Sequence, residues 1–217
     1  MRGNYQIALE GQALTLVPYR RHHVDKYHEW MCLPELLEAT ASDPLSLQEE
    51  YDMQQTWRDD EAKCTFIILA GGREYQGNKS EEQRMVGDVN LFLHDRDDPT
   101  NAEIEIMIAE PKYRRKGLAK EALRIMMGYG LKNLGITRFF AKIGTTNTAS
   151  LGLFKGLDYT EVNYVEAFQE HELALVCKPG NDDDTRDRII AQVHDSLKET
   201  DYYSLRSTVE EWKNNAD

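Results

Sequence analysis

AEIEIMIAEPKYRRKGLAKEALRIMMGYGL, residues 102–131, is the stretch whose reading decides the fold of this 217-residue chain. From Glu103 to Ile108 glutamate and apolar residues alternate, the period of a strand with two unlike faces. Glu103 and Glu105 share one face, opposite Ile104, Ile106 and Ile108. A short turn, Glu110-Pro111-Lys112-Tyr113, follows. Then Arg114, Arg115, Lys116, Gly117, Leu118 and Ala119 open a helix carrying Leu118, Ala122, Ile125, Met126 and Tyr129 on one stripe.

A strand feeding a glycine turn into a helix start is a place for an anion. The first helical N–H groups lack intrahelical partners and the dipole end is positive. Gly117 keeps side-chain bulk away, and the basic residues add charge at the rim. The turn is neither G-x-x-x-x-G-K-[ST] nor G-x-G-x-x-G, so the two commonest nucleotide loops are ruled out. What stands is R-x-x-G-x-A at Arg114, Gly117 and Ala119.

Composition narrows the class. Charged residues make up 29% and the hydrophobic set 41%, as in a soluble globular protein. No apolar run approaches the roughly 20 residues of a membrane helix, so no membrane partner is expected. The N-terminus lacks the apolar core of a secretory signal, so a cytoplasmic or nuclear location is expected. Cys32, Cys64 and Cys177 are scattered, which suits a reducing compartment and argues against a disulfide framework or zinc site. His22, His23 and His28 lack a ligand pattern, and no metal is expected. The formal charge of −12 disfavours a nucleic-acid partner and suits a cationic substrate such as an amine.

Outward from the central stretch, strands are expected at 13–17, 64–70, 85–93, 136–143, 159–165 and 173–177. Gly87 marks a bulge candidate in the third of the seven strands counted with 103–108. Helices are expected at 20–31 and 46–57, the second with Leu47, Tyr51 and Trp57 toward the core. Residues 71–84 form a long polar connection and 94–101 an acidic turn. After 180 the chain turns strongly acidic, with Ile189, Ile190, Val193 and Leu197 at helical spacing. We therefore expect one domain over 1–180 and an acidic helical extension over 181–217.

R-x-x-G-x-A resembles the pyrophosphate-binding signature of the GNAT acetyltransferases. A second segment, Asn147-Thr148-Ala149-Ser150-Leu151-Gly152-Leu153-Phe154-Lys155-Gly156-Leu157-Asp158-Tyr159, resembles their other signature. It departs in two ways: Gly156 is displaced by two positions, and Phe154 stands where a tyrosine often reprotonates the departing thiolate. Val17-Pro18-Tyr19, residues 27–31, 45–57, 63–69 and 85–93, and Glu103 to Pro111 are together similar to the eukaryotic N-acetyltransferase nine family, described as tubulin N-acetyltransferases.

The resemblance implies an α/β (α+β) GNAT fold, with a mixed, mostly antiparallel sheet splayed beside residues 103–108. It implies acetyl-CoA as co-substrate. Met107 and Ile108 would hold the pantetheine and offer an N–H to the oxyanion. Arg114, Arg115, Lys116, Gly117, Leu118 and Ala119 would hold the pyrophosphate, and Asn147, Ser150 and Phe154 would complete the cofactor side. A protein amine, with tubulin as the family's example, would attack the thioester directly. The base candidates are Glu103 and Glu105: family spacing favours Glu103, whereas Glu105 lies nearer the bend where the acetyl group would sit, and Glu103 is the preferred base, direct or through a water, with Glu105 positioning the amine. A small-amine or polyamine acetyltransferase and a catalytically decayed acetyl-CoA-binding adaptor are the alternatives.

Overall fold

The computed structural model describes residues 2–93, 97–177, 189 and 198–206. Nine strands form one sheet in the order β7-β8-β6-β5-β4-β3-β2-β1-β9. They are β1 Ile7–Glu10, β2 Leu14–Pro18, β3 Lys63–Ala70, β4 Met85–Phe92, β5 Asn101–Ile108, β6 Arg138–Gly144, β7 Thr160–Val165, β8 Glu170–Val176 and β9 Lys198–Asp201. The pair β5–β6 is parallel, and every other neighbouring pair among the described residues is antiparallel. The mixed, mostly antiparallel architecture is the one expected.

Each face carries its own core. Beneath one face lies the helix α5, Leu118–Tyr129. Its Leu118, Ala122, Ile125, Met126 and Tyr129 are buried with Phe66, Leu91, Ile104 and Phe139. Full burial of one such Leu, Ile or Met side chain contributes about 1.5–3 kcal/mol, so this face anchors β5 firmly. On the other face lie α1, Val24–Met31, α2, Pro34–Ala39, and α3, Leu47–Asp59. There Tyr27, Trp30 and Met31 pack with Tyr19, Ile67 and Met107. Alternation along β5 thus sends Ile104 to one core and Met107 to the other, with Glu103 and Glu105 on the Met107 face.

The helix expected from residue 20 begins as a 3-10 turn, Arg21–His23, before α1. Helix α3 starts where Ser46 and Glu49 form a reciprocal cap, the Ser46 N–H donating to Glu49 Oε2 at 2.7 Å. Leu47, expected in the core, is 42% exposed, because the first turn of α3 presents it to solvent; Tyr51 and Trp57 do pack partly against the core. Within the long connection, Glu81–Arg84 forms a single helical turn, α4. Beside Gly87 the register slips: Ile68 opposes Gly87 while Leu69 opposes Met85, so Val86 is the extra residue of a bulge. A Cβ on Gly87 would overlap the Met107 carbonyl, which ties this glycine to the close approach of β4 and β5.

The sheet continues past the boundary expected at 180. Strand β9 pairs with β1, from Ile7 opposite Asp201 to Glu10 opposite Lys198. Tyr202 behind it is fully buried, and the Arg20 guanidinium lies over the rings of Tyr5, Tyr202 and Tyr203. Ile189 is also in the core, whereas the helical spacing read at Ile190, Val193 and Leu197 falls outside the described residues.

Candidate active site

The parallel pair opens the sheet. Strand β5 pairs with β6 at Asn101–Arg138, Ala102–Phe139 and Glu103–Phe140, while β5 itself runs on to Ile108 and β6 to Gly144. Beyond Glu103 the two strands part. Each is held on its far side by full antiparallel pairing, β5 to β4 and β6 to β8, so the gap between them is fixed by both walls.

At the base of this gap Lys142 Nζ lies 2.8 Å from Glu103 Oε2, and this pair raises the Lys142 pKa. Glu105, two residues further along, makes no ion pair among the described residues and keeps open surface. Enough protein nevertheless surrounds its carboxyl that lost hydration, followed by the charge of Glu103, pushes it up to about 7. Lys63 and Lys142 oppose that rise. Glu105 is therefore a carboxyl that can accept a proton near neutral pH.

Behind Glu105 lies a buried polar chain. Glu105 stands opposite Asn90 on β4. Asn90 Nδ2 donates to Asp88 Oδ2 at 2.7 Å, and Thr65 Oγ1 donates to Asn90 Oδ1 at 2.6 Å. The Tyr27 hydroxyl also bonds Asp88, whose carboxyl burial pushes up to about 6. Lys63 stands 3.4 Å over the Trp57 ring centroid and 3.8 Å over that of Phe92, and burial lowers it to about 8. Sequence reasoning does not single out Asp88, Asn90, Thr65 or Lys63. The legible signal was the i, i+2 spacing of Asp88 and Asn90 inside an otherwise apolar strand.

The turn beyond β5 has two residues in the left-handed region, Arg115 at φ 58° and Gly117 at φ 84°. Gly117 is the cap of α5, no side chain caps that helix, and nothing lies within 4 Å of where its Cβ would stand. The first amides of α5, from Leu118 and Ala119 onward, thus have no side-chain cap and no intrahelical acceptor. Arg115 and Lys116 are exposed beside them. The Leu118 side chain is in the core, so only its backbone faces the turn. Arg114 folds back: its Nε donates to the Ile108 carbonyl at 2.8 Å and its Nη2 to the Ala109 carbonyl at 3.1 Å. Its side chain braces the end of β5.

Across the gap, Asn147 caps the helix α6, Thr148–Lys155, its Oδ1 accepting from the Ser150 N–H at 3.1 Å. Phe154 is buried in the core with its ring edge-on to Tyr159 at 5.0 Å.

His22, His23 and Glu81 cluster on the other side of α1. Both imidazole Nε2 atoms lie about 3 Å from Glu81 Oε2 (2.9 and 3.0 Å), which also accepts from the Tyr202 hydroxyl at 2.9 Å. His23 Nδ1 accepts the Arg20 N–H at 3.1 Å, so the neutral ring carries its proton on Nε2 and has no lone pair there for a metal. Burial lowers His23 to about 4 and keeps it neutral. The cluster is a hydrogen-bonded junction between the start of α1, α4 and the returning C-terminal segment.

Among the described residues no helix is long and apolar enough to cross a membrane. Comparison with known proteins gives four findings. Residues 13–160 match the family model described as the acetyltransferase (GNAT) domain. An N-acetyltransferase 9-like protein of Nematostella vectensis is 54% identical over 170 residues, covering 78% of this chain and 86% of that one. An alpha/beta-tubulin-N-acetyltransferase 9 of Mus musculus is 50% identical over 176 residues, covering 81% and 73%. Among solved structures, the spermidine N-acetyltransferase of Vibrio cholerae in complex with CoA and spermine superposes with a TM-score of 0.65 at 18% identity, covering 76% of this chain and 96% of that one.

Proposed function

The chain belongs to the GNAT acetyltransferases, which makes it an acyltransferase, and on that premise we propose that it acetylates an α-amine of a protein from acetyl-CoA with Glu105 as the base. The observation that supports this most is a carboxyl poised at about 7 beside the place where β5 and β6 part. The amine nitrogen forms a bond to the thioester carbon, the C–S bond breaks, Glu105 takes the amine proton, and the CoA sulfur leaves as a thiolate that water protonates. Phe154 has no proton to give, so the leaving group relies on solvent.

The residues present suit acetyl-CoA. The uncapped start of α5 with its bare Gly117 fits a pyrophosphate, with the amides of Gly117, Leu118 and Ala119 and the charges of Arg115 and Lys116 as its ligands. The backbone near Met107 and Ile108 would hold the pantetheine, with Arg114 bracing the strand end. Asn147 and Ser150 would border the opposite wall.

An α-amine is the better match for this base. Roughly a tenth of α-amines are already neutral at pH 7, against fewer than about one lysine in a thousand. A carboxyl near 7 can assist the first far more readily than the second. The name of the mouse relative points to tubulin chains as the protein substrate. A polyamine is the second reading, favoured by the formal charge of −12 and the acidic face of β5.

The test is CoA release with a panel of tubulin N-terminal peptides, the same peptides blocked at the α-amine but bearing lysine, and spermidine. The proposal predicts turnover with the free α-amines and at least about tenfold less with the lysine peptides, in line with the amine fractions. Turnover with spermidine alone would move the assignment to the second reading. No release with any amine, despite acetyl-CoA binding, would mark a binding adaptor.

A further inference from the structure

A second constellation of reactive groups lies on α1, away from the gap. Cys32 closes that helix and is exposed, whereas Cys64 and Cys177 are buried. Its Sγ lies 3.6 Å from His28 Nε2, one turn earlier. On the other side of the ring, His28 Nδ1 lies 3.6 Å from Glu50 Oε2 on α3. The Glu50 side chain is 1% exposed, and neither of its oxygens has a hydrogen-bond partner among the described residues. The order thiol, imidazole, carboxylate is that of an activated nucleophile with its base and orienting group.

A buried carboxylate without hydrogen bonds is costly unless a cation compensates it. Burial pushes Glu50 up, and His28 opposes that rise. His28 also sits in the last turn of α1, where the helix dipole favours a positive group. The buried carboxylate and the helix end both suit His28 to take and hold the proton of the thiol it touches, the pairing of a cysteine with an adjacent general base. The same dipole opposes negative charge on Cys32, by about 0.3–1 kcal/mol for an exposed group. The imidazole offsets it as the nearer partner, at hydrogen-bond distance from the sulfur. Other charges nearby are already engaged: the Tyr51 hydroxyl bonds Asp25 at 2.8 Å with Arg21 over its ring, and Lys26 pairs with Glu29 at 2.8 Å.

We infer that Cys32, His28 and Glu50 form a reactive-thiol site that takes a small disulfide into a mixed disulfide at Cys32. The Cys32 thiolate attacks one sulfur of the disulfide, the new S–S bond forms as the old one breaks, and the departing thiolate takes a proton from His28. No further oxidant is needed. Exposure alone would make Cys32 the first thiol to be labelled, so the site is distinguished by rate and by dependence on its neighbours.

The test uses the full chain with oxidised glutathione at pH 7, followed by intact mass and peptide mapping. The reference is an unfolded peptide spanning residues 24–39, which holds Cys32 and His28 but not Glu50. We expect one adduct, at Cys32, forming at least about tenfold faster than on the peptide, as for thiols beside an imidazolium. His28→Gln, at a partly exposed position, should bring the rate down to that of the peptide, and Glu50→Gln should do most of the same. A protein rate equal to the peptide rate, or a rate unchanged in a folded His28→Gln variant, would overturn the site.

Discussion

Lys142, two residues past the last register pair that β5 and β6 share (Glu103–Phe140), meets Glu103 at 2.8 Å. The contact closes the base of the gap and engages the Glu103 carboxylate with an ammonium. It leaves Glu105, one alternation further into the gap, as the carboxyl whose proton affinity reaches the neutral range. Family spacing alone favours Glu103 as base; the ion pair is the reason to assign the role to Glu105.

Lys142 also bears on Glu105, since its charge favours the ionised carboxylate. Lys142→Met should therefore raise the Glu105 pKa further above about 7. A raised carboxyl is protonated, and idle as a base, over a wider range, so the acid limb of kcat/KM should move to higher pH. The profile between pH 6 and 9 checks this; a limb displaced to lower pH would contradict it.

Gly117→Glu places bulk and a negative charge at the uncapped start of α5. Acetyl-CoA affinity measured by calorimetry should fall by at least about a hundredfold, more than 2.7 kcal/mol on the scale where about 1.4 kcal/mol is tenfold. The left-handed φ of 84° adds strain of about 1–2 kcal/mol for any side chain, so thermal unfolding should drop slightly but remain cooperative.

The C-terminal return predicts a cost on truncation. Tyr202 is fully buried, donates to Glu81 and stacks near Arg20, which is itself 1% exposed. Tyr202→Ala should cost about 3–5 kcal/mol in urea unfolding, the range for deleting a large buried ring. Ending the chain at residue 180 should cost more, because it also bares the β1 edge and strands the Arg20 charge. A truncated chain as stable as the full one would remove β9 from the structural core.

Much of the fold was readable in advance because it rests on local periodicity. The Glu103 to Ile108 alternation and the stripe from Leu118 to Tyr129 each carry their signal within a few turns of chain. What could not be read is long-range. Strand β9 is Lys-Glu-Thr-Asp, a charged edge with no apolar alternation, and it is fixed only by its pairing with residues near the start of the chain. Likewise, no local pattern shows that Lys142 reaches Glu103, that Arg114 turns back onto β5, or that Asp88 and Asn90 back Glu105. These contacts follow from which strands become neighbours. The two signature segments marked where a cofactor would lie, but not which of two glutamates on one face stays basic.

The central assignment is tested most directly by the pH dependence of kcat/KM for Glu105→Gln against the unmodified enzyme, with an α-amine peptide from pH 6 to 9. The unmodified enzyme should show an acid limb with a midpoint near about 7 from Glu105, in addition to the limb from the amine itself. The variant should lose roughly 10²–10⁴-fold at its worst and keep only the amine limb, with acetyl-CoA affinity unchanged. Glu103→Gln should keep the limb but move it to lower pH, because the Glu103 charge that helps raise Glu105 is gone. A Glu105→Gln profile parallel to the unmodified enzyme, with a loss under a few-fold, would contradict the account and give the proton to solvent or to another group.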